Sequence, residues 1–89
     1  MKSQDLQYLP LEQELLTVLM EECSEVSIEA SKIIRFGDSQ NNLKNLEKEI
    51  GDLMCMVELL LENNMISIEK IEERSKIKRE KLKIFSNIL

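Results

Sequence analysis

No histidine occurs in this 89-residue chain. That absence removes serine and cysteine nucleophile machinery that relies on an imidazole base. It also weighs against zinc centres and against di-iron bundle sites, in which Glu-x-x-His motifs supply nitrogen ligands. Only two glycines are present and they form no phosphate-cradling loop. One proline and 3% aromatic residues, set against many Leu, Ile, Glu and Lys, exclude a sheet protein in favour of an all-α one. Cys23 and Cys55 make no CxxC pair, and in a chain without a secretory signal they read as reduced thiols. The opening "MKSQDLQYLP" has no apolar h-region, and charges break every apolar run well short of a membrane span. A cytoplasmic protein with no membrane partner is expected.

What is there is charge, and it is unevenly placed. Residues 1–62 hold 13 acids and 5 bases, a net of −8, whereas residues 63–89 hold 4 acids and 7 bases, a net of +3. An acidic body argues against nucleic acid as the partner. The basic run "RSKIKREKLK" reads as a solvated helix face rather than a phosphate grip. The length suits a single domain, 1–89, of a size at which a monomer buries only a little over half of its unfolded surface. Association with further copies, as a dimer or tetramer, is therefore expected.

Three helices follow from the 3.6-residue period. The first opens at Pro10, a residue favoured at helix starts, and runs to Phe36, where Gly37 can take a left-handed terminating conformation. After the loop "GDSQNN", Ser39 or Asn41 caps a second helix, whose apolar positions are Leu43, Leu46, Ile50, Leu53, Met54, Val57 and Leu61. It ends at Asn63 or Asn64. Ser67 caps a third helix through Ile68, Ile71, Ile77, Leu82 and Phe85, with acids early and bases late, as the macrodipole favours. Gly51 inside the second helix costs up to about 1 kcal/mol against Ala, which suggests tight packing or a close ligand, or simple tolerance.

Against this frame the acids are misplaced. Leu11, Leu15, Leu19, Cys23, Val26, Ala30 and Ile33 form the apolar stripe of the first helix, yet Glu22 and Glu29 fall inside the same arc and Glu25 lies at its edge. In "EKEIGDLMCM", Glu49 and Asp52 lie together beside the second stripe, on a side continued by Met56 and Leu60. Short loops make consecutive helices antiparallel neighbours, so the two acidic groups can meet. Converging carboxylates repel, and without a cation some must take up protons. A set of oxygen ligands points to Mg²⁺ or Mn²⁺, with positions left for waters and a substrate phosphate. One pair of acids three apart on a charge-rich helix carries little meaning; two pairs bordering adjacent apolar stripes carry more.

At these residues the chain resembles the MazG-like, all-α nucleoside triphosphate pyrophosphohydrolases, whose signature is EExxE followed by ExxD. "EECSE" is Glu21 to Glu25 and "EIGD" is Glu49 to Asp52, with 23 residues between them. The surrounding "EASKIIRFG" and "NLEKEIGDLMCMVELL" are similar to the small phage-type branch, and the resemblance spans roughly residues 12–64. It implies hydrolysis of the α,β-phosphoanhydride of a nucleoside triphosphate to a monophosphate and pyrophosphate. It implies Glu22, Glu25, Glu49 and Asp52 as Mg²⁺ ligands, and a dimer or tetramer built around antiparallel helical bundles.

Other residues fall into place around these four. Glu21 points away from the stripe. Glu29, two turns beyond Glu22, either binds a second metal or orients Lys32. Lys32 either holds a phosphate or forms an ordinary salt bridge. Asn45 shares the face of Glu49 and Asp52 and either contacts sugar or base or faces solvent. Phe36 either stacks on a base or packs under the loop, the second being the expectation. The related phosphoribosyl-ATP pyrophosphohydrolases typically carry a His after the second motif, where this chain reads "DLMCMV". A noncatalytic helical module, binding nucleotide or another protein, remains the alternative from a different class.

Overall fold

The computed structural model describes residues 10–89, so the N-terminal segment "MKSQDLQYL" lies outside the described residues. These residues form three α-helices and no strand: α1 Pro10–Phe36, α2 Gln40–Glu62 and α3 Ile68–Phe85. Contacts group the chain into two units, Met1–Leu59 and Leu60–Leu89. None of the described helices is long and apolar enough to cross a membrane.

Each boundary has a local cause. α1 stops at Phe36 because Gly37 adopts φ +99° and its N–H donates to the Ile33 carbonyl at 2.8 Å, the single-bond left-handed ending. α2 begins at the alternative Ser39 rather than Asn41: Ser39 Oγ accepts from the Asn42 N–H at 3.2 Å, and Asn42 Nδ2 donates back to the Gly37 carbonyl at 2.9 Å. Asn64, at φ 58°, ends α2 in a Schellman arrangement, its N–H on the Leu61 carbonyl and that of Met65 on the Leu60 carbonyl. Asn tolerates this conformation better than most residues.

α3 is capped by Ser67, whose Oγ accepts from the Lys70 N–H at 3.4 Å and donates to Glu69 at 2.9 Å. The backbone N–H of Glu69 itself, and after it the Ser67 hydroxyl, hold the Glu69 carboxyl below its ordinary value. At the other end Ser86 Oγ donates to the Leu82 carbonyl at 2.7 Å. No residue of α3 is buried, and its apolar positions are exposed except for half-buried Leu82.

α1 and α2 are joined by three residues and fold back on each other, which brings a carboxylate in the middle of α1 against two in the middle of α2. The inner face of α1 holds Leu15, Val18, Leu19, Glu22, Val26, Glu29 and Ile33; that of α2 holds Asn42, Asn45, Leu46, Glu49, Leu53 and Met56. The inner face of α2 is thus the side of Glu49 and Met56, about one residue's rotation from the stripe with the most apolar positions. Leu43, Ile50 and Met54, which the periodicity alone assigns inward, are exposed, as are Leu11 and Cys23 on α1. Phe36, expected under the loop, is instead 72% exposed, with the Arg35 guanidinium 5.2 Å from its ring centroid.

Gly51 is exposed, and a Cβ added there meets nothing within 4 Å. Tight packing within the chain is therefore not its reason. Gly51→Ala is expected to stabilise the chain by up to about 1 kcal/mol through helix propensity, read as a rise in the urea midpoint with unchanged slope. A destabilised variant would show that something other than this chain occupies that space.

Candidate metal centre

Three of the four carboxylates singled out in the sequence come together. Glu22 from α1 and Glu49 and Asp52 from α2 each offer one oxygen, and these oxygens all lie within 4.8 Å of one another. Two features place them there. Glu49 and Asp52 are three residues apart, which puts them on one side of α2, and the fold-back sets that side against the middle of α1. Glu25, the fourth, is exposed and outside this group.

Within the group Glu22 is in the most difficult environment. Its Oε2 is shielded from solvent and makes no hydrogen bond, although the residue as a whole is only half-buried. Desolvation is the first cause that raises its pKa above the usual carboxyl value, followed by repulsion from Asp52, Glu49, Glu25 and Glu21. A buried acceptor without a donor is a liability in a folded protein. A cation bound by hard oxygen donors would relieve both the missing partner and the repulsion, and three carboxylates are a donor set for Mg²⁺ or Mn²⁺ rather than for a soft metal.

Comparison with family models, curated proteins and solved structures gives no match.

Around the carboxylates, the other residues singled out in the sequence fall as follows. Glu29 is buried, and its carboxylate accepts from Lys32 Nζ at 3.2 Å, so Lys32 does form the salt bridge, with a buried acid. Asn45, half-buried, precedes Glu49 by one turn on the inner face. Glu21 is exposed, and the thiols of Cys23 and Cys55 are free and exposed. A surface recess of about 680 Å³ lies in the second unit between Asn64 and Arg74 and contains none of these carboxylates. The three clustered carboxylates all belong to the two acidic motifs; the burial of Glu22 Oε2 has no signature in them.

A pH dependence follows. Because the Glu22 pKa is raised on folding, the protonated form is favoured in the folded state. Its contribution to stability is fully present below the ordinary carboxyl pKa of 4.5 and is lost as pH rises through the raised value. Glu69, with a lowered pKa, acts in the other window: its contribution is present above 4.5 and is lost as pH falls through the lowered value. In EDTA, the melting-temperature advantage of Glu22→Gln over the unmodified chain should therefore grow as pH rises from about 4.5 to 7, and Mg²⁺ should shrink it. A pH-independent difference would mean that Glu22 carries no excess repulsion.

Proposed function

We propose that this chain is a Mg²⁺-dependent, MazG-like nucleotide pyrophosphohydrolase that splits the α,β-phosphoanhydride of a nucleoside triphosphate to a monophosphate and pyrophosphate. The observation that carries the reading is the meeting of Glu22, Glu49 and Asp52 across two helices, with one Glu22 oxygen buried and unbonded. Stability alone does not favour such a cluster, whereas a bound divalent ion does. The acidic motifs "EECSE" and "EIGD" are the residues on which the likeness to that family rests.

When bound, a divalent cation supplies phosphate polarisation, neutralisation of charge developing in the transition state, and a lower pKa for an attacking water. The chain's part is to hold that charge in place. Glu22, Glu49 and Asp52 would be its ligands, with Glu25, on the same helix one turn from Glu22, as the fourth. Lys32 and Asn45 are the side chains proposed to meet substrate, the first through phosphate and the second through sugar or base.

The working form is proposed to be a homo-oligomer, dimer or tetramer, in the cytoplasm. Only Leu15, Met56 and Leu60 are buried apolar residues among those described, while Leu43, Ile50 and Met54 leave an apolar stripe of α2 open. A helix that keeps such a stripe is suited to packing against a second copy.

The test is to incubate the protein with Mg²⁺ and a panel of ordinary and modified nucleoside triphosphates and to separate the products by chromatography. Monophosphate with pyrophosphate is expected. Diphosphate with orthophosphate would refute the cleavage position, and no turnover across the panel would favour a noncatalytic binding module.

A further inference from the structure

The inner face of α1 carries one more charged group that the three carboxylates leave unexplained. Glu29 is 7% exposed, the sole buried charged residue among those described, and it lies seven residues after Glu22 on the same face. Its partner Lys32 is three residues further on, and the pair is asymmetric: the Glu29 side chain is 10% exposed and that of Lys32 is 42%. Burying a carboxylate to meet a half-exposed ammonium returns little stability, because desolvation offsets the attraction. An apolar residue would serve the packing as well or better.

What the pair does achieve is direction. A buried carboxylate has few rotamers open to it, and Lys32 is drawn back along the helix to reach it, towards the end where Glu22 lies. An ammonium has three donors, and the bond to Glu29 uses one of them. Of the four cations on α1 and α2, Lys32, Arg35, Lys44 and Lys48, it alone is not on a fully exposed position. Seven residues of helix rise place Glu29 about 10 Å along the axis from Glu22. A single phosphate does not bridge that span, but a chain of two or three does.

We infer that Glu29 is a positioning residue, which aims the Lys32 ammonium at the far end of a polyphosphate whose near end lies at Glu22, Glu49 and Asp52. This rests on the reading of those carboxylates as a cation and phosphate centre. Lys32 donates to the phosphate oxygens, and Glu29 acts only through Lys32. Selectivity for polyphosphate over orthophosphate then follows from the separation of the two charged positions.

Calorimetric titration with inorganic tripolyphosphate in Mg²⁺, beside orthophosphate and beside Mn²⁺ alone, tests this. The unmodified chain should bind tripolyphosphate more tightly than orthophosphate. Removing both charges together, in Glu29→Leu/Lys32→Met, avoids stranding a buried acid and should leave the melting temperature equal or higher. Its tripolyphosphate affinity should fall about tenfold, the loss of one charge-assisted contact, with Mn²⁺ affinity unchanged. Lys32→Arg should retain most of the affinity, and Glu29→Gln should lose part of it, with no added loss once Lys32 is already Met. Unaltered tripolyphosphate binding in the double variant, with Mn²⁺ still bound, would overturn this inference and leave the proposed centre standing. Failure of the unmodified chain to bind either Mn²⁺ or tripolyphosphate would overturn both.

Discussion

Glu49→Gln is expected to lower Mg²⁺-dependent pyrophosphate release by about 10²–10³-fold, the scale of losing one preorganised charged group at a reacting centre, while making the metal-free protein more stable. The two effects have opposite signs for one reason. Gln keeps the shape of Glu and one acceptor oxygen but removes the negative charge. Glu49 is among the groups whose repulsion raises the Glu22 pKa, so its neutralisation relieves the resting fold. The same charge is one of three that gather within 4.8 Å and would hold the cation. Steady-state kinetics and thermal melts in EDTA check the two halves separately. Activity retained at the level of the unmodified chain would sink Glu49 as a ligand. A noncatalytic module gives a different pattern: neutralising Glu22, Glu25, Glu49 and Asp52 together would stabilise it in Mg²⁺ as much as in EDTA, because no ligand is lost.

Placing a charge on the open stripe of α2 is expected to dissociate the proposed homo-oligomer. Leu43 and Ile50 are each 41% exposed and Met54 is 54% exposed. Their spacing of seven and four residues puts them on one face of the helix. In Ile50→Glu, a carboxylate would have to be desolvated against apolar groups of the partner copy, at a cost of several kcal/mol. About 3 kcal/mol corresponds to a loss of roughly 100-fold or more in association. Because Ile50 is already exposed in the single chain, the folded helices themselves should tolerate the change, with little loss of helical circular dichroism. Sedimentation velocity across a concentration series reads the difference: an oligomer for the unmodified chain and a monomer for the variant. An unmodified chain that sediments as a monomer at all concentrations would contradict the assembly, and an unaltered oligomer in the variant would place its interface elsewhere.

The helices were legible in the sequence because their ends are written in local chemistry. Gly37, Ser39, Asn64 and Ser67 act at the backbone within a turn of their own positions, and the structure uses each of them at a helix end. Orientation was less legible. Periodicity predicts the most apolar face of α2 as its inner face, whereas Glu49 and Met56 lie inward and Ile50 and Met54 are exposed. Counting apolar positions finds hydrophobic surface, without telling a face that packs within the chain from one that stays exposed on it. The acids gave the better guide, since their shared side on α2 is the side that meets α1. For Lys32, spacing alone left a salt bridge and a phosphate contact both open; burial of Glu29 beside a half-exposed Lys32 is a tertiary fact that no spacing reveals.

The most direct measurement is titration of the purified protein with Mn²⁺, followed by electron paramagnetic resonance, for the unmodified chain and for Glu22→Gln and Glu49→Gln. A centre formed by carboxylates from both helices requires saturable Mn²⁺ binding that Mg²⁺ displaces and that weakens in each variant, although the two residues lie on different helices. Absence of saturable binding, or binding that survives both substitutions unchanged, would contradict the cation centre on which the proposed hydrolysis depends.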